Sequence, residues 1–208
     1  MTAQLPTDPA EYWDNRYRSL GRSWSGNVNA ALERELGGAP AGTALDLGCG
    51  EGGDALWLAR QGWRVTAVDI SPTALAIGAG EQQPGDDIAW IAADLAVWQP
   101  PERYDLVSAC FLHSEVELPR VEILRRAAAA VAPGGSLLVV GHFGDHGHAQ
   151  LALPSPDEVR GSLFAEGSEL AGDAWTVATS ALVGRTATFP DGTTRPVVDS
   201  VLRLVRRD

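Results

Sequence analysis

The chain has 208 residues, 45% of them apolar, 21% charged and 7% aromatic, an ordinary composition for a globular protein that buries a core of its own. Sixteen basic residues against 27 acidic ones leave a net charge of −11, which removes the basic footprint needed on nucleic-acid phosphates or on an anionic membrane. Every basic residue is arginine, so Schiff-base lysines, phosphate-loop lysines and catalytic Tyr/Lys pairs are excluded as well.

The elements follow in chain order. Asp8, Pro9 and Glu11 supply an N-cap, an N1 proline and an N3 acid, so a helix is predicted to open there, with Trp13, Tyr17 and Leu20 on one face. A polar turn over 21–27 leads to a second helix near Asn29–Leu36. Thr43–Leu47 reads as the first strand, Gly53–Gln61 as a helix closed by Gly62, and Trp63–Val68 as the second strand. Ser71 and Pro72 form another cap pair, and Ile88–Ala92 and Tyr104–Cys110 are the third and fourth strands. A long helix is expected from Pro119 to Ala132, stopped by Pro133-Gly134-Gly135. Ser136–Gly141 is unbroken in apolar character, as a strand buried on both faces requires. Ser155-Pro156-Asp157-Glu158 is a capping box, and Trp175–Ala187 and Arg195–Val205 form a hairpin around Asp191-Gly192. Five parallel strands with crossovers, then an antiparallel pair, define an α/β fold.

Two cysteines, Cys49 and Cys110, are too few for a disulfide framework or a zinc ribbon. Residues 1–11 are polar and proline-punctuated, without the apolar stretch of a signal peptide, and no window approaches the ~20 apolar residues of a membrane span. The expected compartment is the cytoplasm. The lysine-free, arginine- and alanine-rich composition points to a GC-rich bacterial genome.

The informative segment is Asp46-Leu47-Gly48-Cys49-Gly50-Glu51-Gly52-Gly53, between the first strand and its helix. Glycines let the backbone turn tightly and let a ligand approach with no Cβ in the way, and the helix start offers free N–H groups. Gly48, Gly50 and Gly53 also fit the dinucleotide pattern G-x-G-x-x-G, so the loop alone does not choose a ligand. Asp46 bears on the choice, because a carboxylate aimed there repels a pyrophosphate and suits a cation. Asp69 stands 23 residues further on, beyond the tip of the second strand, where a carboxylate can accept both hydroxyls of a ribose. Asp94 follows the third strand, within reach of an adenine amino group.

Together these residues resemble the class I S-adenosylmethionine-dependent methyltransferases. Leu45–Gly52 looks like that family's first motif, Val68-Asp69-Ile70-Ser71 like its ribose-binding acid, and Ala93-Asp94-Leu95 like its adenine-side motif. Tyr104-Asp105-Leu106-Val107 resembles the fourth strand, and Leu124–Val140 the helix and strand that follow. The segment Tyr12-Trp13-Asp14-Asn15-Arg16-Tyr17 is most similar to the small-molecule branch near the tellurite-resistance and thiopurine methyltransferases. The resemblance implies a Rossmann-like, seven-stranded, mostly parallel sheet with helices on both faces and an antiparallel C-terminal hairpin strand. It implies a single domain over 1–208, with 1–38 as an N-terminal helical cap. The implied cofactor is S-adenosyl-L-methionine, leaving as S-adenosyl-L-homocysteine, and the implied partner is a small-molecule acceptor using O, N, S or another chalcogen. Asp46, Gly48, Cys49, Gly50 and Gly52 would hold its amino-acid end, Asp69 and Ile70 the ribose, Asp94 and Leu95 the adenine, with Cys110 beside them. Both cysteines suit packing better than nucleophilic attack. Cys110 has no preceding proline and the fourth strand has no Asn-Pro-Pro-Tyr-like segment, which disfavours a DNA substrate. Monomer and homodimer both stay open.

All four histidines fall after the fourth or fifth strand, at the edge where open parallel sheets bind ligands. His113 and His142 are the candidate general bases. His146, Trp13, Tyr17 and Trp24 are candidate acceptor contacts, the aromatics through cation–π contact or simple packing. The run His142–His148 holds four possible metal ligands, but a polar lid loop is the preferred reading and no metal is expected. Two rival readings stand beside this one: a nicotinamide-dependent oxidoreductase and a non-catalytic nucleoside-binding module.

Overall fold

The computed structural model describes residues 8–21, 25–144, 153–165, 168, 170–188 and 193–208. Its helices are α1 (Pro9–Leu20), α2 (Ala30–Leu36), α3 (Gly53–Arg60), α4 (Pro72–Gly80), α5 (Arg120–Ala129) and α6 (Pro156–Leu163). Its strands are β1 (Thr43–Leu47), β2 (Arg64–Asp69), β3 (Ile88–Ala92), β4 (Tyr104–Cys110), β5 (Val131–Phe143), β6 (Trp175–Thr188) and β7 (Thr194–Arg206). They form one sheet in the order β3-β2-β1-β4-β5-β7-β6. The first five run parallel, and β7 lies antiparallel between β5 and β6.

Side chains alternate across the sheet and build two cores. On one face Leu45, Leu47, Val107, Leu137 and Val139 meet Ile123 and Leu124 of α5 and Val159 and Leu163 of α6. On the other, Ala44, Leu106, Leu138 and Val140 meet Leu32 of α2 and Leu58 of α3. The period of two along β5 splits neighbouring residues between the cores, and each fully buried leucine contributes about 1.5–3 kcal/mol. Helix starts follow the local sequence. Asp8, Asn29 and Ser71 accept backbone N–H bonds from Ala10, Ala31 and Ala74, and Ser155 with Glu158 closes a full capping box.

Two expectations are corrected. The long helix ends at Ala129 rather than Ala132, and β5 already begins at Val131. Tyr104 pairs with Val131 and Leu106 with Ser136, so Pro133-Gly134-Gly135 is a bulge within the ladder rather than a stop before it. Leu20 is 58% exposed, because the last turn of α1 projects past the body it packs on. The Asp191-Gly192 turn lies outside the described residues.

Candidate active site

The strand order reverses between β1 and β4, the topological switch point where open α/β sheets place ligands. Asp46 and Ser108 are opposite each other there. The Ser108 hydroxyl donates to Asp46 Oδ1 at 2.9 Å, and Asp46 is only 2% exposed. Its Oδ2 is buried with no hydrogen-bond partner among the described residues. A carboxylate oxygen left so is costly unless something charged or hydrogen-bonding arrives to meet it.

The loop above it is shaped by conformation. Gly48, Gly50 and Gly52 have φ of 68°, 54° and 74°, a region where side chains are strained. A Cβ on Gly52 would overlap the Trp90 ring of β3, and one on Gly48 would come within 2.7 Å of Leu112 Cδ1. Gly48 and Cys49 donate their N–H groups to the Val68 carbonyl at 2.8 and 3.1 Å, tying the loop to the end of β2.

Three acids gather under this loop. Burial pushes the Asp46 carboxyl up to about 8, reinforced by the nearby charges of Asp54 and Asp69 against the Ser108 hydrogen bond. Burial also raises Asp54, against a 2.6 Å hydrogen bond from the Asn29 N–H. Asp69 is raised by burial too, against backbone N–H bonds from Ser71 at 2.9 Å and Gly50 at 2.8 Å, with Ile70 adding a further one. Like charges this close disfavour one another's ionised forms, and a cation entering among them removes the penalty. Asp54 was not singled out from the sequence. An acid in a helix's first turn looks like an ordinary complement to the helix dipole, and only the docking of α2 shows that it is buried.

The remaining candidates line the same edge. Ile70 is half-buried after β2; Asp94 is exposed after β3, its Oδ1 accepting from Ala96 N–H in a local turn; Leu95 is buried beside it. Cys49 and Cys110 are partly covered, and burial with the neighbouring acids lifts both thiols well above the usual range. Neither is a thiolate nucleophile in that setting.

The histidines stand across the mouth, His113 just after β4 and His142 within β5. His142 N–H donates to His113 Nε2 at 3.3 Å, and the two rings stack at 6.0 Å. Gly141 makes room, since a Cβ there would lie 2.9 Å from His113 Nε2. Phe111 stacks on His142 at 4.3 Å and has φ 53°, the one non-glycine residue with positive φ among those described. Backbone strain of this kind is held by surrounding contacts and concentrates at functional sites. Behind His142 stand Asp199 of β7 and Arg185 of β6, neither of which the sequence reading picked out. His146 and Trp24 lie outside the described residues, as do His148 and Asp145. Among the described residues, no group of three or more His, Cys, Asp or Glu is placed to hold a metal ion.

Helix α1 crosses this mouth. Asp14 accepts from the Ser71 hydroxyl and the Thr73 N–H at 2.9 and 3.0 Å, at the start of α4. Trp13 Nε1 donates to Ser114 Oγ at 3.2 Å, and the Tyr12 hydroxyl donates to Glu115 at 2.6 Å. Tyr17 is buried at 7% exposure beneath it.

Comparison with known proteins agrees with this geometry. Residues 44–135 match the methyltransferase domain family. Over that segment the chain resembles the class I methyltransferases. It is 30% identical over 138 residues to the ubiquinone biosynthesis O-methyltransferase of Serratia proteamaculans, and 40% identical over 105 residues to the trans-aconitate 2-methyltransferase of Rhizobium meliloti. Those matches cover 64% and 48% of this chain, and the chain spans 56% and 38% of the two relatives' lengths. A structure solved for the conversion of a disulfide bond into a thioacetal group during echinomycin biosynthesis is similar over 95% of this chain and 93% of its own, with 26% identity and TM-score 0.71. TehB from Haemophilus influenzae is similar over 95% of this chain and 68% of its own, with 15% identity and TM-score 0.66. The magnesium protoporphyrin IX methyltransferase of Synechocystis, with bound S-adenosylhomocysteine, gives 18% identity and TM-score 0.64 over 96% of this chain and 100% of its own. At these last two identities the likeness is one of fold. Among the described residues no helix is long and apolar enough to cross a membrane.

Proposed function

We propose that this chain binds S-adenosylmethionine and transfers its methyl group to a small molecule. The observation that carries the reading is Asp46 Oδ2, buried and without a hydrogen-bond partner among the described residues, under a glycine loop with two more acids beside it. That arrangement gains from an ammonium or sulfonium group, which favours the ionised acids, whereas a pyrophosphate would disfavour their ionisation further, which tells against the nicotinamide alternative. When bound, the cofactor supplies a methyl group on a cationic sulfur, the electrophile of an in-line displacement.

The chain's own residues divide the remaining work. Asp46, with Gly48, Gly50 and Gly52 keeping side chains out of the way, takes the amino-acid end; Cys49 and Cys110 pack around it. Asp69 and Ile70 face the ribose, and Asp94 and Leu95 the adenine. Trp13 and Tyr17 of α1 cover the mouth and exclude water, so that holding donor and acceptor in line can supply as much as ~7–11 kcal/mol. A histidine at the far side takes the acceptor's proton where the acceptor has one. His142 is the better placed base, since His113 Nε2 already accepts the His142 N–H.

Calorimetric titration with S-adenosylhomocysteine and with NAD⁺ separates the cofactor readings, and S-adenosylhomocysteine formation with a panel of hydroxyl, amine and thiol acceptors separates an enzyme from a binding module. Binding of NAD⁺ alone sinks the proposal. The same titration on a chain lacking 1–20 checks the cover, and unchanged affinity there removes α1 from the site.

A further inference from the structure

We propose that Asp199 is a positioning residue that holds the His142 imidazole with its proton on Nδ1 and its lone pair on Nε2, so that the acceptor is one that must surrender a proton, a hydroxyl or a thiol. The inference rests on the methyltransferase reading above. The β5–β7 register sets His142 directly opposite Asp199, which makes their approach a property of the sheet. Asp199 is 3% exposed, with Arg185 Nε on Oδ2 at 2.6 Å. Its other oxygen, Oδ1, faces His142 Nδ1 at 3.7 Å and has no hydrogen bond among the described residues.

An aspartate present only to neutralise Arg185 gains most from a bidentate pair that uses both oxygens. Here one oxygen is spent on the guanidinium and the other is turned to the imidazole. Arg185 in turn is anchored over the Phe111 ring at 5.8 Å, and that ring stacks on His142, so four side chains from four strands or strand ends brace one another. Burial pushes the Asp199 carboxyl up, but its His142 and Arg185 neighbours outweigh that and hold it below the usual range. The carboxylate is therefore ionised when it faces the ring. The 3.7 Å separation is longer than a hydrogen bond, as catalytic contacts commonly are before a ligand closes the site.

The consequence lies on the opposite edge of the ring. His142 Nδ1 is buried while the side chain as a whole is 26% exposed, so its exposed atoms are other than the nitrogen that faces Asp199. With the proton fixed on Nδ1, Nε2 is the acceptor, as in other carboxylate–histidine pairs. A hydroxyl or thiol gives its proton to Nε2 and uses the freed pair to form the new bond to the methyl carbon, while the old carbon–sulfur pair stays on sulfur. The imidazolium formed beside Asp199 then returns the proton to water. A carboxylate or a chalcogen oxyanion already carries its pair and gains nothing from this base.

Two-bond ¹H–¹⁵N spectra of the histidine rings, recorded with S-adenosylhomocysteine present and assigned with His142→Gln, read the tautomer directly. The expected result is His142 protonated on Nδ1. In Asp199→Asn, Arg185 claims the amide oxygen and turns the NH₂ toward His142, which moves the proton to Nε2. The variant should bind S-adenosylhomocysteine within about threefold of the parent, and its kcat on a phenol or thiol should fall by about 10²–10⁴ with KM little changed. An Nε2-protonated His142 in the unaltered protein overturns the proposal even if the variant does not fold. So does a tautomer indifferent to Asp199→Asn, or turnover of carboxylates with none of hydroxyls or thiols. Failure of the unaltered protein to bind S-adenosylhomocysteine refutes the methyltransferase reading instead.

Discussion

Replacing Asp46 by asparagine should make the ligand-free protein more stable at high pH while it weakens ligand binding. The folded-state carboxyl sits at about 8 against 3.8 for an ordinary aspartate, because burial and the charges of Asp54 and Asp69 penalise ionisation. Between those two values the folded chain holds a proton that the unfolded chain has released. Stability contributed by this group therefore falls as pH rises, by up to about 1.4 kcal/mol per pH unit and by at most about 6 kcal/mol over the whole window. Asparagine keeps the shape and the Ser108 contact and cannot ionise, so over the range tested its advantage over the wild type should be smallest at pH 5 and should grow to its largest at pH 8.5. Urea unfolding of both proteins at pH 5, 6, 7 and 8.5 measures this. A ligand ammonium reverses the penalty, so binding of S-adenosylhomocysteine at pH 7 should release close to one proton from the wild type, since a group at about 8 is ~90% protonated there. Calorimetry in two buffers of different ionisation enthalpy reads that proton. The reasoning fails if the stabilities of the two proteins run parallel with pH, or if Asp46→Asn binds as tightly as the parent with the same proton release.

Three further outcomes follow from the same geometry. Asp69→Ala removes the acceptor of the Gly50 and Ser71 N–H groups as well as the proposed ribose contact, so S-adenosylhomocysteine affinity should fall more than tenfold, over ~1.4 kcal/mol; unaltered affinity by calorimetry refutes its role. Gly52→Ala meets the Trp90 ring at a φ of 74°, whereas Gly144→Ala at φ 84° meets nothing within 4 Å. The first should cost more in thermal unfolding, by about 1–3 kcal/mol of added overpacking, and equal costs would show that Trp90 yields freely. Cys49 and Cys110, both held well above the usual thiol range, should react with a disulfide reagent at pH 8 far more slowly in the native protein than in the unfolded one. Rapid stoichiometric labelling of the native protein would contradict their burial.

The fold was legible because its signals are local. Caps such as Asp8-Pro9 and Ser155–Glu158, the glycine turn after β1 and the apolar run of β5 each declare themselves within a few residues. The start of β5 was hidden because Pro133-Gly134-Gly135 has the composition of a helix stop, and only pairing with β4 turns it into a bulge. The acids proposed for the cofactor could be picked out for the same reason: Asp46 lies in β1, Asp69 ends β2 and Asp94 follows β3, each a recognisable strand. The far side was not. Asp199 and Arg185 lie in a hairpin whose alternation does not specify its register against β5, and it is that register which brings an ordinary strand aspartate opposite His142. Asp54 was equally hidden, since its burial depends on the Asn29 contact across 25 residues.

Thermal unfolding with S-adenosylhomocysteine, S-adenosylmethionine and NADH added separately tests the central claim most directly. A native-state ligand at a hundredfold excess over its Kd adds ~2.7 kcal/mol, and each kcal/mol raises the midpoint of a chain this size by ~2–4 °C. The account predicts a rise of ~5–11 °C with the two sulfur nucleosides and none with NADH. A rise with NADH alone would mean that the acids under the glycine loop do not receive a cation, and would contradict the proposed function.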